Sequence, residues 1–90
     1  MDWSKKADEL KASYGEAIKK HHTPAIEHVQ KKYRIKGSLS LESDALSRGG
    51  LSDGEMIEIC LSCGFDSTDF SGLLDQMTAD YYAKIAELCS

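Results

Sequence analysis

Ninety residues, 41% hydrophobic and 29% charged, describe one globular domain with a radius of gyration of about 12 Å. Three cysteines are an odd number, which speaks against a disulfide framework, and a single proline without low-complexity tracts leaves little room for disorder. No apolar run approaches a membrane span and Met1–Lys11 lacks a signal-peptide core, so the expected location is cytoplasmic, with no membrane partner.

The net charge of −4 is unevenly spread. Residues 1–36 hold nine Lys or Arg against five Asp or Glu, a balance of +4; residues 37–90 hold two against ten, a balance of −8. Either the two halves attract each other or they offer two faces to different partners, and intramolecular complementarity is the simpler version.

Trp3, Ala7, Leu10, Tyr14, Ile18 and His21 recur at three- and four-residue intervals, the stripe of an amphipathic helix that Asp2 or Ser4 would cap. Ala25, Val29 and Tyr33 continue the stripe. Thr23-Pro24 has the form of a cap and a first helical residue, and a continuous helix to Lys36 would be about 50 Å long. A break or kink is therefore expected near His22–Pro24, with Gly37 as the stop. Over 38–48, Leu39, Leu41 and Leu46 suggest one side of a short helix capped by Ser40 and ended by Gly49-Gly50.

The start signals after Gly50 are clearer. In Leu51-Ser52-Asp53-Gly54-Glu55-Met56, Ser52 caps, Glu55 reaches back and Leu51 staples to Met56. That helix runs to Cys63 and stops at Gly64. Asp66 is expected to cap the next helix with Phe65 stapled to Phe70; Phe70, Leu73, Leu74, Met77, Tyr81, Ile85 and Leu88 form its stripe to the end of the chain. No alternating β pattern and no repeat stand out. The expected fold is all-α, a small bundle of four to five helices with a C-terminal helix-turn-helix-like hairpin. It is one domain over 1–90: a basic helical segment (1–36), a short helix and linker (37–50) and an acidic hairpin (51–90).

Within the hairpin, Ile59, Cys63, Phe65, Phe70 and Leu73 supply the buried positions, Cys60 the small crossing position and Gly64 the turn. Ile59 to Phe70 resembles the second DNA-binding helix-turn-helix of AraC-type regulators, which typically show Ile-Ala, then Cys-Gly-Phe, then Phe-Ser. Here Cys60 replaces the Ala, and Phe70-Ser71 comes about one residue early. The resemblance covers about a quarter of the chain and implies a DNA-binding role. Charge opposes that role. The would-be recognition helix offers Ser67, Thr68, Asp69, Ser71, Asp75 and Gln76, flanked by Asp53, Glu55, Glu58 and Asp66, and phosphate contacts need cations. A DNA-binding transcriptional regulator would have to borrow Lys19, Lys20, Lys31, Lys32, Arg34 and Lys36. That run is a candidate patch for nucleic acid or an acidic partner; the alternative is cations favoured at a helix C-terminus.

Other chemistries find little support. Cys60 and Cys63 have the spacing of one zinc knuckle, and Cys89 with His21, His22 or His28 would complete four ligands, but no second Cys pair exists and the first ends a capped helix. A thioredoxin-like thiolate needs a helix N-terminus, not a C-terminus. Asp66-Ser67 is similar to the phosphopantetheine site of acyl carrier proteins; those domains need further helices, and Thr68 stands where Leu or Ile is usual. No triad, phosphate loop or carboxylate pair is evident, so neither enzyme activity nor a cofactor is expected.

The expectation is therefore an interaction protein. Its acidic helical face (Asp53, Glu55, Glu58, Asp66, Asp69 and Asp75), anchored by an apolar residue such as Tyr82 or Leu61, would bind another protein with a basic surface. One concrete form is a phage or mobile-element inhibitor of a nucleic-acid-binding machine, anti-CRISPR-like by size and charge. Self-association as a homodimer is a second use of the apolar stripes.

Overall fold

The computed structural model describes residues 3–42 and 45–89, with side chains for residue 9, 12–41 and 45–89. The elements in chain order are α1 (Trp3–Tyr33), β1 (Ser40–Glu42), β2 (Ala45–Ser47), α2 (Asp53–Ser62) and α3 (Phe70–Cys89). Among the described residues the fold is thus three helices and a β-hairpin, mostly helical, and the expectation of an all-α bundle of four to five helices is wrong in both number and kind.

The first correction concerns α1. Pro24 sits inside the helix without breaking it, and the only non-helical backbone within α1 is at Tyr14 (φ −115°, ψ 22°). Pro24 lies on an exposed side, where water can take the carbonyl that its missing N–H leaves unpaired. Tyr14 sits between Ser13 and Gly15, a pairing of poor helix formers where sharp kinks concentrate. The bend is substantial: thirty-one residues would span about 45 Å if straight, whereas the longest dimension of the molecule is 34 Å. Asp2 lies outside the described residues, as do the side chains of Trp3, Ser4, Ala7 and Leu10.

α1 ends at Tyr33, not at Gly37. The Ile35 N–H donates to the Gln30 carbonyl at 2.8 Å and the Arg34 N–H to the Lys31 carbonyl at 3.4 Å, the two bonds of a Schellman motif. That motif requires a left-handed residue, and Arg34 supplies it at φ 56°. α2 ends in the same way, with Phe65 N–H on the Cys60 carbonyl and Gly64 N–H on the Leu61 carbonyl. There the left-handed residue is Gly64.

The expected short helix over 38–48 is a hairpin, with Ser40 opposite Ser47, Leu41 opposite Leu46 and Glu42 opposite Ala45. Serines at 38, 40 and 47 are poor helix formers, and the two Ser hydroxyls at 40 and 47 bond across the strands at 2.7 Å. Two three-residue strands are not stable alone. β2 is held by the buried Leu46, whose N–H donates to Thr78 Oγ1 at 3.0 Å while Thr78 donates to the Leu74 carbonyl. Gly49 (φ 52°) closes the hairpin end, where a Cβ would lie 2.5 Å from the Ser38 carbonyl oxygen.

α2 carries the expected capping box between Ser52 and Glu55. α3 starts later than expected. Asp66 does not cap it; its carboxylate instead accepts from the Thr68 N–H and hydroxyl. Asp69 is the cap, accepting from the Gly72 N–H at 3.0 Å. Seven residues, Cys63 to Asp69, therefore separate α2 from α3, against the three or four of a DNA-binding helix-turn-helix. The hairpin is not of that type.

The core lies between α1 and α3, where Ile18, Ala25 and Val29 meet Leu73, Met77, Tyr81 and Ile85; Leu46 and α2's Met56 and Cys60 close it. Cys60 is the crossing residue, its thiol pointing to the Asp69 carbonyl at 3.7 Å.

Candidate interaction surface

α2 has two apolar sides. Met56, Ile59 and Cys60 are buried, whereas Ile57 and Leu61, one turn apart, remain 38% and 62% exposed. They are the two large hydrophobic residues left in solvent among the described residues. Asp53 and Glu58, both exposed, share that outer side. Ile57 was missed by the sequence reading; its signal is the four-residue step to Leu61, off the Met56–Ile59–Cys60 stripe.

Most of the acidic residues, Asp53 included, have local duties. Asp53 pairs with Arg48, and Glu55 is the reciprocal partner of Ser52. Asp66 and Asp69 hold the turn before α3, and the two hydrogen bonds from Thr68 keep the Asp66 carboxyl below its usual range. Asp75 is half-buried on α3. Glu58 has no ion-pair partner among the described residues. Tyr82 cannot anchor a partner: it is 2% exposed and packs edge-on against Tyr81. Cys63, expected in the core, is exposed, and Phe65 and Phe70 are half-buried.

The basic residues also separate. Lys32 bonds Asp80 at 3.0 Å, joining α1 to α3. Asp80 also accepts from Tyr33 Oη, whose oxygen accepts from Gln76 Nε2 at 3.0 Å. Burial and the Asp80 carboxylate push the Tyr33 hydroxyl far above its ordinary pKa. Intramolecular complementarity therefore accounts for one cation of the patch. Lys31, Arg34 and Lys36 instead gather with Lys84 of α3, itself paired with Glu87 at 3.3 Å, around a groove of about 790 Å³ that Pro24 and Ile35 also line. Lys19 borders a different cleft, beside Tyr14 and Cys89, and Lys20 is exposed elsewhere on α1. Lys84, far along the sequence in the acidic half, was missed.

The two patches share an edge. Arg34, Ile35 and Lys36 also form one wall of a small cleft of about 140 Å³ whose other wall carries Glu55 and Glu58. A continuous surface thus runs from the acidic, apolar outer side of α2 to the basic groove at the end of α1.

Burial raises the pKa of Cys60, and burial raises that of Cys63 against the opposing pull of Lys32. Among the described residues no group of three or more His, Cys, Asp or Glu side chains is placed to hold a metal ion. Among them, too, no helix is long and apolar enough to cross a membrane. No protein-family model, curated protein or solved structure matches the chain.

Proposed function

We propose that the chain is a non-enzymatic interaction protein that docks on a basic surface of another protein through the outer side of α2. The observation that carries this reading is the exposed Ile57–Leu61 pair set between Asp53 and Glu58. An apolar anchor rimmed by carboxylates suits a partner surface that offers an apolar pocket among cations. Nucleic-acid-binding proteins present such cation-rich surfaces, so occupying that surface would inhibit them, as a phage or mobile-element inhibitor does. Three free cysteines suit a reducing cytoplasm as the setting.

The test is capture of nucleic-acid-binding proteins on the immobilised chain, followed by elution with duplex DNA. Proteins released by DNA and absent from an Ile57→Ser/Leu61→Ser variant support the reading; equal retention by wild type and variant overturns it.

Direct DNA binding is the second reading, favoured by the gathering of Lys31, Arg34, Lys36 and Lys84. Glu27 within the same groove and the carboxylates at 66, 69 and 75 oppose it. Binding to random duplex at about 50 mM salt that fades by about 200 mM would establish it; no binding at the lower salt removes it.

A further inference from the structure

We propose that the outer side of α2 and the basic groove at the end of α1 form one self-complementary surface, through which two copies of this chain pair about a twofold axis. In a twofold interface, residue i of one copy meets residue j of the other and j meets i. A surface carrying opposite charge on two adjoining halves satisfies that condition when the axis passes through their shared edge. That edge is the small cleft between Arg34, Lys36 and Glu55, Glu58. Rotation about it lays the α2 side of each copy, with Asp53, Ile57, Glu58 and Leu61, over the groove of the other.

The chemistry of the groove selects this occupant. Lys31, Arg34 and Lys36 supply cations for Glu58, Lys84 and Asp53 would exchange their own partners Glu87 and Arg48, and Pro24 and Ile35 supply an apolar lining for Ile57 and Leu61.

The backbone adds an independent observation. Arg34 occupies a left-handed position that α2's matching end gives to Gly64. A non-glycine residue there carries a Cβ conflict that glycine avoids, and such strain persists where the side chain serves a purpose. Arg34 lines the groove, the small cleft and a third cleft beside Cys63. A stable dimer buries about 800 Å² per copy, roughly a seventh of the 5467 Å² surface.

Because this dimer rests on the α2 docking face proposed above, a partner with a basic surface would compete with the second copy for it. The test contains no other protein, so either reading can fail alone. In sedimentation velocity at low salt, the 9.9 kDa chain shifts toward twice its mass as its concentration rises, and high salt weakens the shift. Glu58→Arg and Arg34→Glu, each checked for helicity by circular dichroism, weaken association by at least about tenfold. Mixed one to one, the two variants pair again, because each reversed charge then faces its opposite. Leu61→Ser weakens association without touching a charge. A chain that stays monomeric up to about 0.5 mM, where even millimolar affinity would begin to register, overturns the proposal. So does a dimer indifferent to both reversals, or a mixture that fails to pair.

Discussion

Single side chains carry the sharpest contrasts in this molecule, and Arg34 is the foremost. Glycine at its left-handed position removes the Cβ conflict, so Arg34→Gly should raise stability by about 0.5–1 kcal/mol. A higher urea midpoint with unchanged slope would show it; a lower midpoint would mean that the guanidinium stabilises the fold more than the strain opposes it. Asp66 offers a pH signature. Its carboxyl is held below the ordinary value by Thr68, so its contribution is present above the unfolded-state pKa and disappears as pH falls through the lower folded value. The stability difference between wild type and Asp66→Ala should therefore be full at neutral pH and vanish in strong acid. Denaturation midpoints at several pH values measure it. Tyr81, pushed up to about 12 by burial and its neighbour Tyr82, stays protonated against His22 Nδ1 at 2.9 Å throughout that range.

At the scale of elements, the hairpin depends on a residue thirty-two positions away. Thr78→Val keeps the shape of the side chain but leaves the buried Leu46 N–H without its acceptor, a loss of about 1–3 kcal/mol. The Leu46 amide should then exchange with solvent faster than its wild-type counterpart; unchanged exchange would place the hairpin's support elsewhere. This dependence also explains what the sequence hid. Capping boxes are local, so Ser52 and Glu55 announced α2 correctly, and the 70–88 stripe announced α3. The hairpin has three residues per strand, too few for a period of two to show, and its anchor is long-range. Asp66 and Asp69 both have the chemistry of a cap, and only the turn around Thr68 decides between them. Pro24 is a strong punctuator on paper, but an exposed helix side tolerates it, while the Ser13-Tyr14-Gly15 kink carried a weaker mark.

Over the whole molecule, the charge split proved to be only partly internal. Lys32–Asp80 ties the halves together, whereas Arg34 and Lys36 adjoin Glu55 and Glu58 across a surface cleft and have no ion pair among the described residues. The acidic composition of residues 37–90 was legible from the start; its dispersal into caps and turns was not, because cap geometry depends on where each helix begins. Tyr82 fell to the core for a similar reason, since α3 packs along α1 on one side and receives β2 on another. The outer side of α2 is the surface proposed for recognition. The most direct measurement is the amount of DNA-displaceable protein held by the Ile57→Ser/Leu61→Ser variant relative to wild type, at matched helicity. Loss of that protein is the predicted result, and retention at the wild-type level would contradict the docking role of α2.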